Sequence, residues 1–312
     1  MKKRILVVSS ANMDFVMNVD RLPRANETLL EETGNYSFIP GGKGGNSAIA
    51  VQRLGGDCVF CAKIGKDTSG AALRHLYQTE GINTNYVHST PDAPTGLAAI
   101  TVEGNGDNRI TVFPGANDCL SADDAEEALL CYPDAVLIHF EIPNEAILSA
   151  AKYAAKQGVP IVIDAGPAKP DFPFEQLPEL EIFSPNEQET EAYTGIYPAT
   201  ADLALKAAIK LEKLVNAKFY VIKLGDRGAL VYDKTYYNIA DAYMTKVVDT
   251  TAAGDGFTAA LTLEYARTGN IMHSLRYANA VGAMIVSKNG ASTSIPNEAQ
   301  LAKFVEMKDI KL

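Results

Sequence analysis

Near its C-terminal end the chain reads Asp249-Thr-Thr-Ala-Ala-Gly-Asp255, three small residues before a carboxylate at the point where a helical pattern begins. Small residues let backbone N–H groups approach an anion closely, and a helix N-terminus adds partial positive charge. Two readings are open. In one, Asp255 or a threonine caps a helix and does nothing else. In the other, the N–H groups of Ala252, Ala253 and Gly254 hold phosphoryl oxygens as charge builds, and Asp255 accepts a proton from an attacking hydroxyl. A helix start favours the ionised carboxylate and hence a weak base. That suits phosphoryl transfer, where positioning and charge stabilisation dominate. Capping alone does not call for the Ala-Ala-Gly run.

Chemistry of this kind needs a scaffold, and the rest of the sequence supplies one. Strand-like apolar runs fall at 4–10, 58–65, 135–141, 159–165, 181–187 and 219–225. Helical patterns fall at 44–55, 68–80, 144–157, 200–215, 254–268 and 271–288. Buried strands separated by helices argue for an α/β fold, a three-layer, Rossmann-like parallel sheet covered on both faces. Ligands of such sheets sit at the carboxyl ends of the strands. Polar residues collect there: Asn12 and Asp14, the helix entry Gly41-Gly-Lys-Gly-Gly-Asn46, Glu141, and Asp164 before Gly166-Pro167. Further along come Ser184-Pro-Asn-Glu187 with Glu189, and Gly225-Asp-Arg-Gly228. One such residue is a cap or turn former; so many along one edge suit a polyhydroxyl or phosphate ligand. GGKGGN is no Walker A loop, and no GxGxxG follows a strand. Its glycines either pack a helix entry against a strand or bring backbone close to a ligand, with Lys43 or Asn46 on hydroxyls.

Segments 15–41 and 95–117 break the rhythm, with strand-like runs and hairpin chemistry at Gly104-Asn-Gly-Asp-Asn108. They predict a small separate sheet, a lid over the cleft and a contact for a second copy, within one domain spanning 1–312. A formal net charge of -10, with no basic run, argues against nucleic acid. No stretch approaches the roughly 18 apolar residues of a membrane span. The apolar run Ile5–Val8 is too short for a signal peptide, so a cytoplasmic location is expected. The sequons at Asn26 and Asn35 then carry no meaning. Cys58-Val-Phe-Cys61 has metal-site spacing, but an odd separation on a strand points the thiols to opposite faces, and no second pair completes a set. His75, His88, His139 and His273 show no metal spacing, and His139 reads as packed beside Glu141.

Together, GGKGGN, PNEQE and DTTAAGDGF, in this order, resemble the ribokinase/PfkB sugar-kinase family over essentially the whole chain, from Asn12-x-Asp14 to GASTSIP near the end. The resemblance implies ATP-dependent phosphorylation of a sugar's primary hydroxyl. Asp255 would be the base, with Ala252, Ala253 and Gly254 as anion hole. Asn12, Asp14, Gly42, Lys43, Gly44, Gly45, Asn46 and Glu141 would hold the sugar. Asn186, Glu187 and Glu189 match a motif associated with Mg2+ and phosphate through water. The loop Lys223, Leu224, Gly225, Asp226, Arg227, Gly228 matches the nucleotide loop, and Asn279 the adenine contact. Asp249, Thr251, Ile285, Lys288, Gly290 and Ser294 match a monovalent-cation site, expected for K+. Three positions depart from the family pattern: Gly45 for alanine, Asp164 in Asp-Ala-Gly-Pro for Asn-Pro-Ala-Pro, and Thr258 for asparagine. Lys43 favours D-ribose, phosphorylated at its 5-hydroxyl, over the fructose and nucleoside branches. Deoxyribose and pseudouridine kinases of the same family, and a silent sugar-binding regulator, are the alternatives.

Overall fold

The computed structural model describes residues 2–32, 34–104 and 107–312. In chain order its first elements are β1 (Arg4–Val8), β2 (Asn12–Val19), β3 (Asn35–Gly41), α1 (Lys43–Arg53), β4 (Asp57–Gly65), α2 (Thr68–Thr79) and β5 (Asn83–Thr90). Next come β6 (Gly96–Glu103), β7 (Asn108–Phe113), α3 (Ala122–Ala128), β8 (Ala135–His139), α4 (Asn144–Lys156), β9 (Ile161–Asp164) and β10 (Leu180–Ser184). The last are α5 (Glu187–Thr194), α6 (Ala201–Leu214), β11 (Ala217–Lys223), β12 (Ala229–Tyr232), β13 (Tyr237–Ala240), α7 (Ala253–Thr268), α8 (Ile271–Val286) and α9 (Glu298–Met307).

A nine-stranded sheet runs β13-β12-β11-β10-β9-β8-β1-β4-β5. From β11 to β5 every pair is parallel. The expected parallel sheet is extended at one edge by β12 and β13, which pair antiparallel. The reason is local: the chain turns back within Gly225–Gly228, and a link that short can join only antiparallel strands. Strand alternation sends Ile5 and Val7 into one core and Leu6 and Val8 into the other. The first core is covered by α1, α2, α7, α8 and α9, the second by α3, α4 and α6. Cys58 and Cys61 also divide between the two cores, as their odd spacing requires, and burial pushes both thiols up.

The segments singled out at 15–41 and 95–117 form a second, four-stranded sheet, order β3-β2-β6-β7. Its strands converge on one rung, where Asn12 pairs with Gly41 on one side and Gly96 on the other. The hairpin expected at 104–108 joins β6 to β7, and its residues 105 and 106 lie outside those described. Among the described residues no helix is long and apolar enough to cross a membrane.

Candidate active site

The strand order places the switch point of the sheet at β1: the chain leaves it for β4 and β5, then returns to its other side through β8. In open α/β sheets the ligand crevice lies outside the carboxyl ends of the strands at this point, here β1 and β8. There Ser10 donates a hydrogen bond to Glu141 Oε2, and the Lys43 N–H donates to the same oxygen at 3.1 Å. Gly42 enters α1 at φ 82°, and a side chain on it would press against the Asn12 N–H. Asn12 lies 4% exposed and accepts through Oδ1 from Asn117 Nδ2 at 2.7 Å, while Asn117 Oδ1 accepts from the Ala11 N–H at 2.9 Å. The Asp14 carboxyl fills the space that a Cβ on Gly41 would take. Its Oδ1 is buried without a partner. Burial, then the charges of Glu141 and Asp255, push Asp14 up to about 7.

Opposite this wall stands the first turn of α7. Ala252 precedes it in the left-handed conformation, φ 62°, and caps it with no side chain. Asp255 is therefore not the cap. Its Oδ2 accepts from Asn46 Nδ2 at 2.9 Å, and its Oδ1 lies 3.5 Å from Lys43 Nζ. Burial works against the Lys43 ammonium, but Asp255, Asp164, Glu141 and Glu189 outweigh it and raise the group. Lys43 thus points at the carboxylates on the α7 side of the crevice. Beneath, Ser47 Oγ donates to the Asp255 carbonyl at 3.2 Å and meets His139 Nε2 at 3.1 Å. Burial depresses His139 to about 4 against the pull of Asp164 and Asp255, so the ring is neutral at pH 7. One expected anion donor differs. The Ala253 N–H bonds the Thr250 carbonyl at 3.2 Å, closing the turn that launches the helix. Gly254 follows at the second helical position, where an N–H has no intrahelical acceptor.

Next to α7 lies a charged cluster. Lys223 Nζ donates to Asp164 Oδ2 at 2.6 Å, and Thr258 Oγ1 to the same oxygen at 2.5 Å. Burial opposes the charge of Asp164; Lys223 and Lys43 overrule it and hold the group below the usual carboxylate range. Asn186 and Glu189 form a reciprocal capping box at the start of α5, and the other Glu189 oxygen faces Gly166. Burial, with the charge of Asp164, raises Glu189. Glu187 Oε1 pairs with Arg227 Nη2 at 2.5 Å, fastening the Gly225–Arg227 turn, in which Leu224 is buried and its N–H bonds the Gly228 carbonyl at 2.8 Å. Asn279 spends both side-chain N–H donors on the carbonyls of Ala240 and Asp241, at 2.8 and 3.0 Å. Asp249 Oδ1 accepts from the Thr251 N–H and Oγ1 at 2.9 and 2.6 Å, and its Oδ2 from the Gly290 N–H at 2.9 Å. The Ile285 carbonyl accepts from the Lys288 N–H at 3.1 Å, and Ser294 Oγ donates to the Ala291 carbonyl at 2.7 Å.

The profile of the pfkB family carbohydrate kinases matches residues 2–298. The chain belongs to this carbohydrate kinase family. A ribokinase of Haemophilus influenzae is 33% identical over 308 residues, 98% of this chain and 99% of its own. One from Staphylococcus aureus is 34% identical over 300 residues, 95% and 97%. The solved structure of Arabidopsis thaliana ribokinase complexed with ribose and ATP superposes with a TM-score of 0.89 at 31% identity, covering 98% of this chain and 99% of that one. Within the family frame, Ser10, Ser47 and Asn117 are the contributors that motif reading missed. Each acts by a hydrogen bond to a partner distant in the chain, as in Asn117 to Asn12 across 105 positions. Only the GAN ending of segment 95–117 hinted at Asn117.

Proposed function

We propose that the protein is a ribokinase, transferring the γ-phosphoryl group of ATP to the 5-hydroxyl of D-ribose. The observation that carries the reading is the Asn46–Asp255 hydrogen bond of 2.9 Å. It joins the two signature stretches, one from each side of the crevice, at a carboxylate in the first turn of α7. In this reading Asn12, Asp14, Gly42, Lys43, Gly44, Gly45, Asn46 and Glu141 surround the sugar. Acceptors such as Asp14 and Glu141 suit hydroxyls taken out of water, each of which must find a partner. Asp255 takes the proton of the 5-hydroxyl as its oxygen attacks the γ-phosphorus. The bond to the β-phosphate oxygen breaks and ADP leaves. Ala252, Gly254 and the α7 dipole stabilise the charge on the phosphoryl oxygens.

The nucleotide lies along Asn186 and the Lys223–Gly228 loop, with adenine near Asn279. Asn186, Glu187 and Glu189 would hold Mg2+ through water beside the phosphates, where it would offset their charge. Asp249, Thr251, Ile285, Lys288, Gly290 and Ser294 offer hard oxygen donors for K+, which would order the loop before α7 from beside the reaction. A homodimer through the small sheet is part of the reading. Ile110 and Val112 stand 56% and 49% exposed on the face that carries Asp14, and Phe38 and Phe113 are exposed on the other. A second copy would cover them. The cytoplasm, where ATP is held, is the proposed location.

The deciding experiment compares kcat/KM across ribose, deoxyribose, fructose and nucleosides, with ribose expected first. Asp255→Asn should lower kcat by roughly 10²–10⁴-fold while calorimetry still records ribose binding. Ribose ranking low, or turnover surviving in that variant, sinks the assignment.

A further inference from the structure

Two departures from the family pattern, Asp164 and Thr258, turn out to be neighbours. They lie 94 positions apart and share a 2.5 Å hydrogen bond. Lys223 completes the group, its Nζ 2.6 Å from Asp164 Oδ2 and 3.3 Å from Thr258 Oγ1. The pair is almost dry: the side chains of Lys223 and Asp164 are 11% and 1% exposed. A buried ion pair is a poor stabiliser, because desolvating two charges costs about what their attraction returns. Fold stability therefore gives little reason to keep it, and its place in the molecule gives a better one.

Lys223 Nζ lies 3.9 Å from the point a Cβ on Gly254 would occupy, directly against the first turn of α7. Thr258 Oγ1 also reaches the Gly254 carbonyl, at 3.1 Å. An ammonium has three N–H donors. Asp164 and Thr258 take two, and among the described residues no third acceptor bonds it. Asp164 is itself engaged on one side only, its buried Oδ1 having no partner. The arrangement is a cation fixed by two ligands with one donor unspent, at the mouth of a helix start that favours anions. Lys43 stands beside Asp255, and its charge also acts on Asp164.

We propose that Asp164, assisted by Thr258, is a positioning residue that holds the Lys223 ammonium against Gly254 so that its remaining N–H meets a phosphoryl oxygen of the arriving nucleoside triphosphate. This rests on the kinase reading above. Lys223 is the residue that touches the nucleotide; Asp164 and Thr258 act through it. The positive charge is thereby in place before the phosphates arrive, and no solvent has to be reorganised around it at that moment.

A double-mutant cycle on the full-length enzyme tests the proposal, using Lys223→Thr, Asp164→Asn and the pair combined. Affinities for the non-hydrolysable triphosphate MgAMP-PNP and for ribose are read by calorimetry, and KM for MgATP and for ribose by steady-state rates. Loss of a charge-assisted hydrogen bond predicts roughly tenfold or more weaker MgAMP-PNP binding in Lys223→Thr, with ribose affinity unchanged within about twofold. Asp164→Asn should show most of the same loss although Lys223 is present. The combined variant should be no worse than Lys223→Thr, because both act on one contact. Nucleotide losses that simply add, or an Asp164→Asn protein that melts earlier but binds MgAMP-PNP like the wild type, overturn the positioning role. Lys223→Thr strands a buried carboxylate and can fail to fold. The charge-neutral combined variant then decides alone, and wild-type MgAMP-PNP affinity in it refutes the proposal. Wild-type enzyme that binds MgAMP-PNP through Lys223 yet leaves ribose untouched would instead overturn the sugar assignment, so the two failures are distinct.

Discussion

Replacing Gly45 with alanine adds one methyl group near the start of α1. The new carbon would lie 2.6 Å from the Tyr77 hydroxyl. Tyr77 cannot step aside: it is fully buried in the first core, its ring edge-on to Phe60 with centroids 5.1 Å apart. Two effects oppose each other. Alanine in a helix interior is worth about 0.8–1 kcal/mol over glycine. Forcing a methyl into a filled space costs about 1–3 kcal/mol. With the contact as short as 2.6 Å the steric cost wins, and Gly45→Ala should be destabilised by up to about 2 kcal/mol. Tyr77→Phe removes the obstructing atom, which is also a buried hydroxyl without a partner, and should be neutral or stabilising by itself. In that background Gly45→Ala should change sign and gain the helix-propensity difference. Urea midpoints of the four proteins, at constant slope, measure the coupling. Lys43 and Asn46 ride on the same helix, so the KM for sugar should rise in Gly45→Ala and recover in the double variant. A Gly45→Ala protein as stable as the wild type with Tyr77 in place would refute the reasoning.

Asp14, raised to about 7, accepts from a hydroxyl more strongly when ionised, so in the proposed function kcat/KM for ribose should climb as pH rises through about 7, and Asp14→Asn should abolish that limb. The same shift makes stability fall as pH rises from about 3.8 to about 7, because the folded state holds the Asp14 proton that the unfolded chain gives up near 3.8. His139 has the opposite sign for acid: its folded value of about 4 lies below 6.5, so the unfolded chain binds the extra proton and stability falls as pH drops from about 6.5 to 4. The full effect is about 3 kcal/mol, and His139→Gln should flatten the urea-midpoint slope over that window. Asp249→Ala frees the Thr251 and Gly290 N–H groups, and activity should become indifferent to exchanging potassium for tetramethylammonium; a wild-type response would remove the cation assignment.

What the sequence disclosed depends on whether a residue works through its neighbours in the chain. The alternation of β1, the division of Cys58 from Cys61 and the entry of α1 at Gly42 are local, and periodicity or turn chemistry reveals them. β5 escaped because Asn83–Thr90 buries only Val87 and Thr90, leaving no apolar run to notice. β12 and β13 have four residues each, too short to show a period, and α3 lies in polar text, whereas α9 carries Leu301, Phe304 and Val305 at helical spacing and was passed over. In the site, Asp255 and Glu141 were legible as carboxylates at element ends. Asn117 was not, since its importance lies in holding Ala11 and Asn12 at the start of β2, over a hundred positions away. Asp164 and Thr258 were legible only as oddities. Their meaning needed the third partner, Lys223, on yet another element.

The single rung shared by Asn12, Gly41 and Gly96 makes the small sheet a lever with its fulcrum beside Asp14 and the entry of α1. Strand β2 runs eight residues outward from that rung, about 25 Å of arm. A few degrees of rotation at the root would sweep the free end through more than an ångström. A reporter group fixed near the far tips of β2 and β3, remote from every polar contact of the crevice, would therefore register events at the pivot with mechanical gain.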